Sequence, residues 1–205
     1  MSIRPARPSD FHAAAGLIQT VFDMLSGHFA PEEEEENDPT RYAWFEDWFQ
    51  QEDNRFSYQQ VLVKEVEGQV VGVILIYHGS EAEALDRPLN ERLRRLRNDP
   101  TFTLDQEAEL DEFYIDTLSV APGFSGRGYG TALIRATEEK ARELHYDKIA
   151  INVDEDNERA YRLYQRLGYV TDVERELYGK WYFHMVKYLK PGLKWQFSRN
   201  SLPLC

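Results

Sequence analysis

The sequence has almost no cysteine and comparatively few basic residues. Its single cysteine, Cys205, is the last of 205 residues, so no internal disulfide can form and a reducing compartment is indicated. Lys and Arg number 24 against 36 Asp and Glu, which gives a net charge of −12. This balance argues against a nucleic-acid-binding protein, because such proteins need a basic face.

Long apolar runs and metal motifs are also missing. The longest apolar run, residues 70–77, is far shorter than the ~20 residues that a membrane-spanning helix needs. Residues 1–7 lack the apolar core of a signal peptide, and no His/Cys spacing typical of a metal site occurs. We therefore expect a cytoplasmic protein with no membrane partner, no nucleic-acid partner and no metal.

The length and the apolar content favour one sizeable domain. With 42% hydrophobic residues, the chain can bury a substantial core. We predict a single domain over residues 1–190, with a helical insertion at about 79–109, followed by a C-terminal tail at 191–205. The acidic run at 31–36 is interpreted as a solvated loop.

A glycine-rich loop between a predicted strand and a predicted helix is the first functional motif. The strand covers residues 113–120, which are rich in β-branched and aromatic side chains. The loop, residues 125–131, leads into a helix predicted over 132–144. Glycines let a backbone approach a ligand closely, and the free N–H groups and dipole of a helix N-terminus favour phosphate. We interpret the loop as a phosphate cradle.

Two familiar nucleotide motifs do not fit this loop. A P-loop requires Lys and then Ser or Thr after its last glycine, whereas Gly130 is followed by Thr131 and Ala132. A dinucleotide fingerprint requires G-x-G-x-x-G, whereas Gly126, Gly128 and Gly130 are spaced G-x-G-x-G. The loop therefore belongs to neither class.

The loop instead resembles the pyrophosphate loop of the GNAT acetyltransferase superfamily, whose pattern is Gln/Arg-x-x-Gly-x-Gly/Ala. Gly128 and Gly130 match this pattern, while Ser125 stands where that family usually has Gln or Arg. After a strand predicted at 148–153, residues 157–169 resemble a second GNAT pattern, Asn-x-x-Ala-x-x-x-Tyr-x-x-x-Gly-Phe/Tyr, and match every fixed position. Two motifs in this order make the chain similar to GNAT acetyltransferases.

This resemblance implies a fold, a co-substrate and a reaction. The fold implied is α/β (α+β): a central mixed, mostly antiparallel twisted sheet flanked by helices, with two central strands splayed to hold coenzyme A. The reaction implied is N-acetyl transfer from acetyl-coenzyme A to a primary amine of a small molecule or a protein, by direct attack in a ternary complex. The alternative is a non-catalytic module that binds or senses coenzyme A. A homodimer is left open.

Three segments are expected from the resemblance to hold the coenzyme. The end of the predicted strand would hold the pantetheine arm, with the Val120 N–H near the thioester oxygen, and the loop would cradle the pyrophosphate. The residues of the strand end, the loop and the second motif are, in order, Leu118, Ser119, Val120, Ser125, Gly126, Arg127, Gly128, Tyr129, Gly130, Thr131, Asn157, Ala160 and Tyr164.

Three residues are candidates for the proton transfers of amine acetylation. The attacking ammonium must lose a proton, and the departing thiolate must gain one. Tyr164 matches the family's tyrosine that faces the sulfur, so it is the candidate general acid, with a core aromatic as the alternative role. Glu112 and Asp116 lie four apart in a strand region and hence on one face. Glu112 fits a base that works through water, Asp116 is the nearer base, and either could be a solvated acid instead.

An aromatic helix predicted over 39–51 bears on the acceptor. Its aromatic residues exceed what one helical stripe needs. It is interpreted either as a helix packed on the sheet edge or as a wall of the acceptor pocket. Together with the acidic charge balance, the second interpretation favours a cationic amine. His184, in a predicted final strand, is interpreted as a hydrogen-bonded core residue.

Overall fold

A seven-stranded sheet organises the described part of the chain. The computed structural model describes residues 2–24 and 43–190, with side chains placed at 2–19 and 44–190. The strands are β1 (Ser2–Pro5), β2 (Val61–Val66), β3 (Gln69–His78), β4 (Phe113–Val120), β5 (Lys148–Asp154), β6 (Val170–Leu177) and β7 (Lys180–Tyr188). Their order is β1-β2-β3-β4-β5-β7-β6, and only β4 and β5 are parallel neighbours. The predicted mixed, mostly antiparallel sheet is confirmed.

Helices cover both faces of this sheet. They are α1 (Phe11–Met24), α2 (Ala43–Gln50), α3 (Ala82–Leu96), α4 (Tyr129–Glu143) and α5 (Glu158–Arg166). Successive strand residues point to opposite faces, so Val73 and Leu75 pack with α1, α2 and α3, whereas Ile74 and Ile76 pack with α4 and α5. The acidic run at 31–36, the start of the predicted aromatic helix and the tail at 191–205 lie outside the described residues.

The helix after the glycine-rich loop starts earlier than predicted. Gly128, with φ of 78° and ψ of 7°, is the N-cap, and no side chain caps this helix end. Tyr129, Gly130 and Thr131 consequently form the first turn of α4 rather than part of the loop. The N–H groups of a first turn have no partner within the helix, so this end of α4 can donate to a ligand.

The segment predicted as a helical insertion contains the helix α3. This helix begins at Ala82 and contains Pro88. Leu85 is buried in the core, whereas Leu96 at the end of the helix is 40% exposed. Proline lacks an N–H and disturbs the preceding turn, and one carbonyl of that turn, Leu85 O, accepts the backbone N–H of Arg55 at 3.1 Å.

The two parallel strands separate partway along their length. Paired residues run only from Phe113 with Ile149 to Ile115 with Ile151, although both strands continue. Next to this point β4 carries a bulge at Asp116, because its partners in β3 shift register there. A bulge bends its strand. The predicted splay of two central strands is therefore confirmed.

Two other kinds of feature are absent from the described residues. None of the helices described above is both long and apolar enough to cross a membrane. Across residues 2–24 and 43–190, no three His, Cys, Asp or Glu side chains are grouped so that they could hold a metal ion.

Candidate active site

A cavity of about 540 Å³ opens where β4 and β5 separate. One wall is β4 between Tyr114 and Leu118, and the opposite wall is the end of β5 with one face of α5. The turn between β6 and β7 with the strand residues beside it, and two side chains from loops, Arg55 and Glu107, complete its lining. The splay therefore produces a concave site of the size of typical small-molecule sites.

The β4 backbone offers hydrogen-bonding groups to this gap. Ala121 donates its N–H to Val71 O of the neighbouring segment at 3.0 Å. In an antiparallel ladder alternate residues point their N–H and C=O groups to the same neighbour, so Ser119 also faces β3. Leu118 and Val120 consequently present theirs to the opposite side, where β5 no longer pairs. Leu118 itself lines the cavity.

The glycine-rich loop is exposed beyond the end of β4 and does not line the cavity. Gly126 and Gly128 have φ of 76° and 78°, and a Cβ built on either would meet no atom within 4 Å. Gly130 has an ordinary helical backbone and packs near Leu118. Open backbone beside the N-terminus of α4 fits a pyrophosphate, and the exposed Arg127 adds a cation to the same loop.

The second motif forms the α5 wall of the cavity. The Asn157 side chain accepts the N–H of Ala160 at 3.1 Å and caps α5. One turn further, Tyr164 is buried, lines the cavity and packs edge-on against Tyr169. Burial raises the pKa of the Tyr164 phenol, so the phenol keeps its proton at neutral pH and is a donor.

The structure separates the two candidate carboxylates. Asp116 lines the cavity, whereas Glu112 precedes β4 and does not. Glu112 is fully buried and accepts the N–H of Glu109 at 2.9 Å. It also lies 3.2 Å from His184 Nε2 and 3.4 Å from Lys148 Nζ. The expectation that Glu112 acts through water finds no support here, because its carboxylate is sealed into this polar cluster.

Both carboxylate oxygens of Asp116 accept hydrogen bonds. Its Oδ2 accepts from Arg55 Nε at 2.5 Å and its Oδ1 from the Thr117 hydroxyl at 2.8 Å. Burial raises the pKa of Asp116 to about 6, although the Arg55 guanidinium opposes the shift. A carboxylate that titrates just below neutral pH is a suitable general base.

Arg55 joins this aspartate to two further carboxylates. The guanidinium also pairs with Glu107 at 2.7 Å and with Asp86 at 3.3 Å, and its own side chain is only 3% exposed. Glu107 accepts in addition from the Tyr178 hydroxyl at 2.7 Å. Sequence reasoning missed Arg55, Glu107 and Tyr178. The acidic stretch before β4 was the one available indication, since the partners lie in distant segments.

The aromatic helix packs on the sheet rather than on the cavity. Phe45 and Phe49 of α2 are buried in the core. Trp44 and Trp48 pack against Phe56, and none of the described α2 residues lines the cavity. The packing interpretation is therefore supported, and the pocket-wall interpretation is wrong for this cavity.

Known proteins resemble this chain in sequence and in structure. The family model described as the acetyltransferase (GNAT) family matches residues 18–169. A solved acetyltransferase structure is 28% identical with a TM-score of 0.77, covering 93% of this chain and 100% of that one. An N-acetyltransferase from Staphylococcus aureus Mu50 is 29% identical with a TM-score of 0.73, covering 91% and 100%.

The match to a curated relative is shorter. An uncharacterized N-acetyltransferase of Bacillus subtilis (strain 168), YdgE, is 34% identical over 58 residues, which are 28% of this chain and 37% of that protein. The matched part therefore spans well under two thirds of the relative's length.

Proposed function

The chain belongs to the acetyltransferase (GNAT) family, and from this premise we propose that it transfers the acetyl group of acetyl-coenzyme A to a primary amine in the cavity between β4 and β5. The observation that carries the proposal is the end of strand pairing at Ile115 and Ile151. Beyond that point the cavity has a carboxylate, Asp116, on its β4 wall and a phenol, Tyr164, on its α5 wall.

The coenzyme is assigned to the backbone and the loop that follow the cavity along β4. The backbone N–H and C=O groups of Leu118 and Val120, which face the gap, hold the pantetheine arm. Ser119 keeps β4 in place by pairing with β3. The segment from Ser125 to Thr131 receives the pyrophosphate at the N-terminus of α4. Asn157 and Ala160 border the arm from the α5 side.

The side chains of the cavity carry the proton transfers. Bound acetyl-coenzyme A supplies an activated acetyl carbon. Asp116 accepts a proton from the acceptor ammonium, which frees the nitrogen lone pair to form the new carbon–nitrogen bond. The Val120 N–H donates to the carbonyl oxygen as negative charge develops there. Tyr164 gives its proton to the sulfur as the carbon–sulfur bond breaks. The nitrogen, which carries one extra proton after the new bond forms, passes that proton to the Tyr164 oxygen, so the amide is neutral, the phenol is restored and the net proton is left on Asp116.

The assay that tests this function measures released thiol and acetylated product together. The full chain is incubated with acetyl-coenzyme A and a panel of small-molecule and peptide amines. We expect stoichiometric thiol release and amine acetylation with at least one class of amine. Tight coenzyme binding without thiol release on any amine would overturn the proposal and leave a coenzyme-binding module.

A further inference from the structure

The cavity is next to more buried negative charge than the ion pairs within residues 2–24 and 43–190 neutralise. One guanidinium, Arg55, faces the three carboxylates Asp86, Glu107 and Asp116, whose side chains are 14%, 13% and 4% exposed. Ionised together, these four groups carry a surplus of two negative charges. Burying charge without an opposite partner is costly. Because Glu107 and Asp116 line the cavity, a cation in the cavity would offset that surplus.

An orphaned acceptor lies beside the same carboxylates. Asn152 lines the cavity, and its Nδ2 donates to the Glu107 carbonyl at 2.9 Å and to the Tyr114 hydroxyl at 3.0 Å. Its Oδ1 is buried and has no hydrogen-bond partner. The Tyr114 hydroxyl in turn donates to Glu107 Oε2 at 3.2 Å. A ligand with N–H donors would give the Asn152 oxygen its missing partner and would add a charged donor to the Glu107 carboxylate.

The surroundings favour an ammonium over a carboxylate at this place. Tyr114, Tyr178 and Tyr182 line the cavity, and aromatic faces attract cations. Every nitrogen of the Arg55 guanidinium already pairs with a carboxylate, so it has no free edge for an anionic group. The other cation of the lining, Lys180, is exposed at the start of β7.

A single ammonium does not offset the buried negative charge throughout the reaction. The attacked nitrogen must give up its proton to Asp116, so its positive charge is lost when the new bond forms. A second ammonium in the same acceptor would stay charged and keep its partners. We propose that the acceptor is a diamine, whose second ammonium is held by Glu107 and Asn152 while the first is acetylated beside Asp116. This inference rests on the proposed function.

The test compares acceptors of equal length that differ in the far group. Alkyl monoamines, α,ω-diamines and ω-amino acids are assayed with the unmodified chain and acetyl-coenzyme A. One hydrogen bond to a charged group corresponds to about 10–100-fold in affinity. We therefore expect kcat/KM for the diamine to exceed that of the monoamine by about 10–100-fold, with the amino acid poorest.

Two variants test whether Glu107 causes the preference for diamines over monoamines. Glu107→Gln keeps the shape but removes the charge, and should reduce the diamine preference to less than about threefold, chiefly through KM. Glu109→Gln is the matched control, because this half-exposed neighbour pairs with Arg175 at 3.0 Å outside the cavity. It should keep the full preference.

The outcomes distinguish a failure of the diamine inference from a failure of the proposed acetyltransferase function. Acetylation of monoamines or amino acids as efficiently as of diamines by the unmodified chain would overturn the diamine inference and leave the acetyltransferase intact. A Glu107→Gln variant that keeps the full preference for diamines over monoamines would overturn the assignment of the second ammonium to the Glu107 carboxylate. Absence of acetylation with every amine would overturn both proposals.

Discussion

Replacing Asp116 by Asn removes the proposed proton acceptor from the cavity with little change in shape. In the unmodified enzyme an ammonium can bind and pass its proton to Asp116. Activity should then rise through the pKa of about 6 and stay level until the pH nears the pKa of the amine. The variant has no such acceptor, so only acceptor molecules that are already neutral can react.

The size of the loss follows from the acceptor's own ionisation. An alkyl amine with a pKa of about 10.4 is neutral in about one molecule in 10³ near pH 7.4. The variant should therefore lose about 10³-fold in rate at that pH, within the usual 10²–10⁴-fold range for general base catalysis. The loss should shrink about tenfold with each pH unit, because the neutral fraction grows by that factor.

The assay is the initial rate of thiol release at saturating acetyl-coenzyme A over roughly pH 5.5–9, a range that brackets the carboxylate's titration. Asp86→Asn is the control, because it removes a carboxylate from the same guanidinium but outside the cavity lining. It should keep the level region of the profile. A level profile in Asp116→Asn, with a rate within threefold of the unmodified enzyme, would refute the role of Asp116.

Three further perturbations test other parts of the site and fold. Tyr164→Phe should lower turnover by roughly 10²-fold with coenzyme affinity nearly intact, and near-normal turnover with a changed melting temperature would mean a structural tyrosine. Gly128→Val should weaken coenzyme A binding at least about tenfold, or ~1.4 kcal/mol, by calorimetry. Gly123→Val, at a glycine with open space and no positive φ, should not. Burial lowers the pKa of His184, but its hydrogen bonds to two carboxylates outweigh this and raise the pKa above 6.5. Protonated His184 should stabilise the fold fully at a pH below its pKa in the unfolded protein, and this stabilisation should fade as the pH rises through its pKa in the folded protein. In urea unfolding, the difference in free energy of unfolding between the unmodified protein and His184→Gln should therefore narrow from pH 6 to 9. A difference in free energy of unfolding that stays constant with pH would contradict the stabilisation by a protonated His184.

The elements that we propose hold the coenzyme could be predicted from the sequence because their residues are close together along the chain. The loop at 125–131 and the motif at 157–169 each place their functional groups within one or two turns. Local rules for glycine turns, caps and helix faces therefore apply to them directly. The structure differs from the predicted elements at the start of α4, where Gly128 itself is the cap.

The surroundings of Asp116, which we propose as the acceptor side, could not be predicted in the same way, since they depend on long-range pairing. Arg55 meets Asp116 across 61 positions and Asp86 across 31, and no periodicity links such segments. The bulge at Asp116 also breaks the strict alternation that was used to place Glu112 on the same face. Burial then gave the two carboxylates different surroundings, one at the cavity and one against His184.

The most direct test of the account is a crystal structure of the chain with coenzyme A bound. We expect the pyrophosphate to bind the backbone of residues 125–131 and the pantetheine arm to lie along Leu118 and Val120. The sulfur should lie within about 3.5 Å of the Tyr164 hydroxyl, between β4 and β5. A sulfur bound outside this gap, away from both Tyr164 and Asp116, would contradict the claim that acetyl transfer takes place there.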